Sequence, residues 1–325
     1  MAPDPTPAAS VIVVTRDRRQ ELAVALDSLA AQRGSFEVII VDDGSGDGTE
    51  AMLAARDGVV AIRRATSGGP GLARNDGAAR ARGRALVFLD SDCRALEGWL
   101  PAMLAPLERP EVGAVGGAEA LDPKEPLLGR VFHFVLTSPL TTGRIRGGRG
   151  GRAARYRPRS YSLAVRRADF ERAGGFALLR HGEDIDFAAR IERLGLRLVH
   201  APDARVHHRR RATWRAFAAQ LFAMGRARSA LARMDRRHLE PFYLLPPLGL
   251  LVAAALFGAA VVFPPSRVAA ASVSAALAAY LVVVGIAAAR ALRTAAAAPL
   301  APLAFLVQQA SYGAGFLRGL AGMAA

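Results

Sequence analysis

The stretch "FEVIIVDDGSGDGTE", residues 36–50, joins an apolar run to two adjacent carboxylates and a glycine-rich turn. A second stretch, "ALVFLDSDC" (85–93), repeats this pattern and ends in Asp90 and Asp92. Apolar runs of this length are typical of strands buried on both faces of a parallel sheet. Carboxylates are costly in such a core, so their place at the end of each run predicts a ligand site there.

The N-terminal part of the chain alternates apolar runs with helix-forming segments. The run "SVIVV" (10–14) predicts the first strand, and leucines at helical spacing predict a helix that ends near Gln32. Asp17, with Gln20 three positions later, predicts the cap of that helix. Further strands are predicted at "FEVIIV", "GVVAIRR" and "ALVFLD". The alternation predicts an α/β domain whose mostly parallel sheet carries helices on both faces.

Four carboxylates fall at the predicted strand ends, where ligands of parallel sheets bind. They are Asp42, Asp43, Asp90 and Asp92. Hard oxygen ligands of this kind suit Mg²⁺ or Mn²⁺ bridging a diphosphate. Two alternatives remain open: the Asp-Gly-Ser segment is also common in turns, and "DSD" is also a cap for a helix over "RALEGWL".

The charge and the cysteine content limit the kinds of ligand that the protein is expected to bind. The formal net charge of +15 comes almost wholly from arginine, since Lys124 is the only lysine. Such a charge indicates an anionic partner: nucleic acid, a phospholipid surface or a phosphorylated ligand. The single cysteine, Cys93, excludes an internal disulfide framework and a zinc site with several thiolates.

The composition of the chain changes abruptly near residue 240. Three long spans without charge follow, at 241–266, 268–289 and 294–317. The first two predict transmembrane helices at about 243–263 and 268–289, because each exceeds the roughly 20 residues needed to cross a bilayer. The third, at about 295–317, is interrupted by polar residues and glycines, so re-entrant or interfacial placement remains open.

Arginine placement predicts the orientation of these helices. "HHRRRATWR" precedes the first helix and "RALR" follows the second, whereas only Arg267 lies between them. The positive-inside rule therefore predicts a multi-pass protein of the inner (plasma) membrane with its large N-terminal domain in the cytoplasm. The segment 213–238 is amphipathic and is predicted to be an interfacial helix.

Seven motifs occur in an order that resembles the family 2 glycosyltransferases, whose catalytic domain has the GT-A fold. They are "SVIVVTRDR", "VDDGSGDGT", "GGPGLARNDG", "FLDSDC", "SLAVRR", "GGF" and "GEDIDFAARI". The similarity covers roughly residues 9–235. It implies a GT-A catalytic domain (9–212), and the composition adds a disordered N-terminus (1–8), the interfacial helix and a membrane domain (239–325). Ser162 stands where many relatives have asparagine before "LAVRR".

The resemblance implies roles for particular residues. Those placed around the nucleotide-sugar donor are Val14, Thr15, Arg16, Asp43, Arg74, Asn75, Asp90 and Ser91. Asp92 is implied as the main ligand of Mg²⁺ or Mn²⁺, together with Asp90 and His208. Each assignment has a plainer alternative: a solvated helix face for Arg74 and an interfacial role for His208.

The resemblance also implies the catalytic base. Glu183 and Asp184 are predicted to begin a helix, where the dipole favours negative charge. The family's base maps to Asp184, with Glu183 as the next candidate. An alcohol is a weak nucleophile, so a positioned carboxylate must take its proton as it attacks. The plainer alternative is that both acids only start the helix.

The arginine-rich stretch "RIRGGRGGRAARYRP" (144–158) permits two interpretations. One is a solvated loop, and the other is a lid that closes over phosphates of the donor or of a lipid diphosphate. The sequence as a whole favours an inverting, metal-dependent glycosyltransferase that acts on a lipid-linked or glycan acceptor at the membrane. A polyprenyl-phosphate glycosyltransferase is the alternative. A nucleic-acid-binding membrane protein is disfavoured, because the basic runs lack interleaved aromatic residues.

Overall fold

The computed structural model describes residues 6–142, 156–209 and 213–322. The chain forms two compact units, Met1–Ala120 with Tyr156–Arg209, and Leu121–Arg155 with Arg210–Ala325. Of the N-terminal residues 1–8, which were predicted to be disordered, 1–5 lie outside the described residues, as do 144–155 of the arginine-rich stretch.

The first unit is built on one mixed sheet. Its strands are β1 (Ala9–Thr15), β2 (Phe36–Asp42), β3 (Val59–Arg63), β4 (Ala85–Asp90), β5 (Cys93–Ala95), β6 (Val112–Ala120), β7 (Ser162–Arg166) and β8 (Arg197–His208). The spatial order is β3-β2-β1-β4-β7-β6-β8-β5. The first four neighbours are parallel, β7 is antiparallel to β4 and β6, and β8 is parallel to β6.

Helices connect and cover these strands. In chain order they are α1 (Arg19–Ala30), α2 (Thr49–Ala54), α3 (Pro70–Arg80), α4 (Trp99–Leu104), α5 (Leu127–Thr137), α6 (Pro139–Thr142), α7 (Arg167–Arg172), α8 (Glu183–Arg193), α9 (Trp214–Met234), α10 (Leu245–Val262), α11 (Ser266–Leu292) and α12 (Ala297–Leu320). Helices α5, α6 and α9–α12 belong to the second unit.

Each face of the sheet is covered by its own apolar layer. Alternate residues of β1 point to opposite faces, so Val11 and Val13 join one cluster and Ile12 joins the other. The first layer contains α1 and α4, with Trp99 fully buried in it, and the second contains α3, α7 and α8. The predicted α/β fold with a mostly parallel sheet is therefore confirmed.

Strand register gathers the acids on one edge. Thr15 of β1 is the partner of Asp42, and Val14 is the partner of Asp90. Because β2 and β4 flank β1, the carboxylates that follow both strands lie on either side of the end of β1. The structure thus has the clustering that the two apolar runs predicted.

One local prediction in this region was wrong, and one alternative interpretation is excluded. Asp17 does not cap α1: it adopts φ 51°, and its carboxylate accepts from Gly46 N–H instead. "DSD" does not cap a helix either, because β5 follows it and α4 begins only at Trp99. In both cases a contact between loops or strands far apart in sequence prevails over the local capping pattern.

The second unit buries the apolar face of α9. Phe217 and Leu221 lie in its core with α5 and α12, and the Phe217 ring stacks on Phe132 at 4.0 Å between ring centroids. The face predicted to lie in a membrane interface is therefore occupied by protein. The same packing groups residues 121–142 with the C-terminal helices, whereas the sequence assigned them to the catalytic domain.

Two helices of this unit are long and apolar enough to cross a membrane. They comprise Pro241–Val262, which includes α10 and the turn before it, and Ser266–Leu292, which is α11. Large apolar side chains on them, such as Val261 and Val268, are exposed. The third segment, α12, is one continuous helix with Pro302 inside it.

Candidate active site

The loops that follow β1 and β2 are bound to each other. Asp17 N–H donates to Ser45 Oγ at 2.9 Å, and Gly46 N–H donates to Asp17 Oδ1 at 2.8 Å. Arg19 N–H donates to Asp47 Oδ2 at 2.8 Å. These bonds supply the first turn of α1 with an acceptor and hold both loops in one arrangement at the carboxyl edge of the sheet.

Asp43 organises the loop that follows β3. Its carboxylate accepts from Ser67 Oγ at 2.6 Å and from the N–H groups of Gly68 and Gly69 at 2.9 and 3.0 Å. It also pairs with Arg64 Nε at 2.9 Å. The residue predicted to contact a nucleobase therefore already binds four groups of the protein, and its contact with a base stays a prediction.

Buried polar atoms without partners lie beside this point. Asp42 Oδ1 accepts from Ser45 N–H, but Asp42 Oδ2 and Thr15 Oγ1 are buried without a hydrogen bond. Thr15 and Asp42 are partners in the sheet. Unpaired buried polar atoms are costly, so two at adjacent strand ends indicate a ligand or water position. Val14 is half-buried, and Arg16 is exposed and pairs with Asp17.

Arg74 joins β4 to the start of α8. Its Nη2 lies 2.7 Å from Asp90 Oδ1, and its Nη1 lies 2.7 Å from Glu183 Oε1. The guanidinium is buried and lies over the Phe176 ring. Two carboxylates on one buried guanidinium compensate its charge. Arg74, predicted to lie beside the nucleotide, thus holds two predicted site residues at a fixed separation.

Asn75 anchors the chain that leads to α8. Its Nδ2 donates to the Phe176 carbonyl at 2.8 Å, and its Oδ1 accepts from Phe176 N–H at 2.8 Å. The amide thus fixes the backbone in both directions. Its predicted contact with a nucleotide stays a prediction, and the observed role is to position the segment before Glu183.

Glu183 is a buried acid with a raised pKa. Burial raises the pKa of Glu183 to about 7, although Arg74 opposes this effect and Asp184 adds to it. A carboxyl group near neutrality can exchange a proton at physiological pH. The Asp184 side chain is 14% exposed, against 8% for Glu183. Its Oδ1 accepts from Ile185 N–H at 2.8 Å and lies 3.8 Å from Arg159, and its Oδ2 accepts from Ser160 N–H at 3.4 Å. Both acids begin α8, as predicted.

The turn after β4 carries a second cluster. His208, at the end of β8, places Nε2 3.3 Å from Asp92 Oδ1 and Nδ1 2.8 Å from Glu119 Oε1. Arg18 Nη1 forms a close ion pair with Asp92 Oδ2. Cys93 is the strand partner of His208, and one ligand atom from each of Asp92, Cys93 and His208 lies within 4.8 Å of the others.

The charges in this cluster support each other. Burial disfavours the imidazolium, but Asp92 and Glu119 outweigh it and raise the pKa of His208 to about 9. Burial acts against the Asp92 carboxylate, yet His208 and Arg18 lower its pKa well below its usual range. Asp92 is therefore ionised, as a carboxylate ligand for a cation must be, whereas His208 would have to release its Nε2 proton before it could bind one.

The residues of this cluster fit a divalent metal. Asp92 Oδ1 is buried without a well-formed hydrogen bond, and it faces an imidazole and a thiol. The carboxylate suits Mg²⁺ or Mn²⁺, and the imidazole beside it is a common ligand of transition metals. Of the predicted ligands, Asp92 and His208 come together, whereas Asp90 pairs with Arg74 instead. Ser91 is buried in the intervening turn.

Sequence reasoning missed three residues here: Arg18, Glu119 and Cys93. Arg18 lies in the quoted motif "SVIVVTRDR". Its place in the loop after the first strand was the feature that could have marked it as a site residue. Nothing in the sequence links Glu119 to His208, because strand order brings β6 beside β8. Ser162 is buried and accepts from the Trp99 indole at 2.9 Å.

Comparison with known proteins assigns the family. Residues 10–172, half of the chain, match the domain described as glycosyl transferase family 2. The chain therefore belongs to this family.

Three curated relatives are similar to parts of the chain. The pre-mycofactocin glycosyltransferase of Mycobacterium tuberculosis is 28% identical over 235 residues, which are 69% of this chain and 47% of that protein. The succinoglycan biosynthesis protein ExoO of Rhizobium meliloti is 40% identical over 94 residues, 27% of this chain and 26% of that protein. Glycosyltransferase AglE of Haloferax volcanii is 30% identical over 118 residues, 34% of this chain and 39% of that protein. The chain thus spans at most about half the length of these relatives.

A solved structure shares the fold over most of the chain. The mannosyltransferase PcManGT from Pyrobaculum calidifontis, solved in complex with GDP-Man and Mn²⁺, superposes with a TM-score of 0.62. The match covers 94% of this chain and 89% of that chain at 24% identity. The likeness supports the GT-A fold predicted from the order of the motifs.

Proposed function

We propose that the protein is an inverting, metal-dependent glycosyltransferase that moves a sugar from a nucleotide-sugar donor to a membrane-associated acceptor, either lipid-linked or glycan. The observation that carries this proposal is the pair of acidic centres at one edge of a family 2 domain. Asp92 with His208 offers a cation site, and Glu183 with Asp184 offers a base. Arg74 connects the second centre to Asp90, two residues before Asp92.

The relatives support a donor and a metal of this kind. PcManGT was solved with a nucleotide sugar and Mn²⁺. The other relatives bear names of glycosyltransferases or of polysaccharide biosynthesis. By similarity, the donor here is a nucleotide sugar, and the cofactor is Mg²⁺ or Mn²⁺.

Asp184 is the proposed base. It accepts the proton of the acceptor hydroxyl while the oxygen attacks the anomeric carbon, and direct displacement inverts that carbon. Its exposed share of about one seventh leaves it open to a substrate, whereas Glu183 is enclosed by its ion pair with Arg74. Arg74 in turn keeps Asp90 oriented toward the proposed ribose or diphosphate position.

Asp92 and His208 are the residues that would hold the metal, which would neutralise charge on the departing diphosphate. Glu119 positions the His208 ring through Nδ1 and leaves Nε2 facing Asp92. The unpaired atoms of Thr15 and Asp42 support a nucleotide position at the end of β1, next to Val14 and Arg16. Asp43 and Asn75 shape this edge by fixing its loops.

The membrane is the proposed location of the acceptor. The two long apolar helices support a multi-pass anchor in the plasma membrane, and the arginine distribution supports a cytoplasmic catalytic unit. On this arrangement the donor comes from the cytoplasm. The second unit keeps the enzyme beside a lipid-linked substrate.

The test is a panel of nucleotide sugars incubated with the purified full-length protein, membrane lipids and Mn²⁺. We expect release of the nucleoside diphosphate from one donor, with loss of release in EDTA and in Asp92→Ala. A folded Asp92→Ala protein with wild-type turnover would contradict the metal role of Asp92. A product that mild acid cleaves to a lipid monophosphate would identify a polyprenyl-phosphate acceptor instead of a glycan one.

A further inference from the structure

Arg18 occupies the carboxylate that the proposed function assigns to the metal. Its Nη1 contacts Asp92 Oδ2, while His208 faces the other oxygen, Oδ1. Asp92 is therefore held between two cationic side chains. The Arg18 side chain is 37% exposed and that of Asp92 is 15% exposed, so this pair lies at the open side of the cluster.

The backbone around Arg18 is fixed on both sides. Asp17 is bound to Ser45 and Gly46, and Arg19 N–H is bound to Asp47. Arg18 itself is the residue that immediately precedes α1. Any movement of its guanidinium away from Asp92 is therefore a rotation of the side chain, and it leaves the loop in place.

The ion pair contributes little to holding the loop. The three hydrogen bonds that join Asp17 and Arg19 to Ser45, Gly46 and Asp47 already do so without the guanidinium, and a partly exposed ion pair adds little to stability. What the pair does change is the charge of Asp92. A carboxylate neutralised by a guanidinium attracts a divalent cation far less than a bare one does.

We propose that Arg18 is an exchangeable counter-ion of Asp92 that makes metal binding depend on the donor. Without a donor, Arg18 competes with the metal for Oδ2. When a donor diphosphate arrives with its cation, the cation takes the carboxylate, and the released guanidinium pairs with phosphate oxygen, which suits its planar fork. The proposal rests on the proposed function, since it takes Asp92 as the metal ligand.

The exchange conserves the charge balance at the site. The cation replaces one positive neighbour of Asp92, and the diphosphate brings negative charge that receives the displaced guanidinium. A metal ion that binds without a nucleotide gives the displaced Arg18 no new anionic partner. In that case the guanidinium loses its ion pair with Asp92 and contacts only water. The structure thus predicts weak binding of bare metal and strong binding of metal together with nucleotide.

The test measures Mn²⁺ binding by the loss of the free-ion EPR signal, on the full-length protein, with no nucleotide and then with GDP or UDP. We expect Arg18→Gln to bind bare Mn²⁺ about tenfold more tightly than wild type, because a competing state is removed. With the nucleoside diphosphate present, that advantage should disappear or reverse. Arg18→Lys keeps the charge and should stay close to wild type.

Arg19→Gln is the matched control, since it removes the same charge from the next, exposed position. It should change affinity for bare Mn²⁺ by no more than about twofold, a screened long-range effect. Equal affinities of wild type and Arg18→Gln for bare Mn²⁺ would overturn the role of Arg18. If Asp92→Asn retains the binding of Mn²⁺, the metal assignment in the proposed function fails. These two failures are therefore distinguishable.

Discussion

At the scale of single residues, the site depends on carboxylates whose partners differ. Asp184 is partly exposed, Glu183 is paired with Arg74, and Asp92 is paired with Arg18 and His208. All are acids at one edge of the sheet, so residue type alone does not distinguish their roles. The neighbours of each acid decide whether it holds a proton, a cation or another side chain.

The proposed base is tested with Asp184→Asn, which keeps the shape of the side chain. We expect kcat to fall by about 10²–10⁴-fold, the usual contribution of a positioned base. Affinity for the nucleoside diphosphate should stay the same, since the prediction places Asp184 on the acceptor side. Asp27→Asn, an exposed residue of α1, is the control for the chemical change. Transfer within about threefold of wild type would move the base elsewhere, with Glu183 next.

The pH dependence should report Glu183. Its pKa is raised to about 7, so the carboxylate that holds Arg74 is lost as pH falls through that value. Because the ionised form keeps Arg74 in place, we expect kcat/KM to rise with pH through about 7. In Glu183→Gln this inflection should be absent from the pH profile. An unchanged inflection in that variant would assign it to another group.

At the scale of elements, α9 and α12 pack through glycines. A Cβ on Gly315 would lie 2.1 Å from the Phe222 carbonyl oxygen, and one on Gly225 would lie 2.1 Å from that of Tyr312. Gly315 and Gly319 form a G-x-x-x-G pair, which lets helix backbones approach closely in membrane proteins. The amphipathic pattern of α9 thus belongs to helix packing within the second unit.

Gly315→Ala tests this crossing. The added methyl group meets backbone, which cannot rotate away, so we expect a loss of about 1–3 kcal/mol in the free energy of unfolding. A fall in the melting temperature of the detergent-solubilised protein would report it. Gly258→Ala on α10 is the matched control, because a Cβ there has no atom within 4 Å. If both variants melted alike, close packing at Gly315 would be refuted.

At the scale of the whole molecule, the two units differ in how much apolar surface they expose. The first unit covers both faces of its sheet with helices, whereas α10 and α11 expose residues such as Val262 and Val268. Apolar side chains along two helices of this length require a cover that water cannot supply. A bilayer is the cover we propose.

The membrane proposal predicts how the protein fractionates and how it is oriented. We expect full-length protein to stay with membranes in alkaline carbonate. A reporter fused after Ala289 should show a cytoplasmic signal, and one fused after Arg267, in the first turn of α11, should show the opposite side. The Arg267 fusion is the control for the assay itself. Reversed signals would place the donor site on the other side of the membrane.

The sequence by itself determined the four parallel strands β1–β4 and the edge that carries the acids. Strands of "SVIVV" and "FEVIIV" type are recognisable because burial on both faces requires a local apolar run. Once the strands are parallel, residues that follow them share an edge, so Asp42 and Asp90 come together without further information. The start of α8 at Glu183 was likewise predicted from the local sequence.

Only the tertiary structure decided which side chains meet at that edge. Arg74 and Glu183 are 109 positions apart, and Arg18 and Asp92 are 74 apart. The contact of His208 with Asp92 depends on β8 lying between β6 and β5. Strand order and loop-to-loop bonds set these pairs, and no local pattern encodes them. The face of α9 is a similar case, since an amphipathic stripe is the same whether protein or lipid covers it.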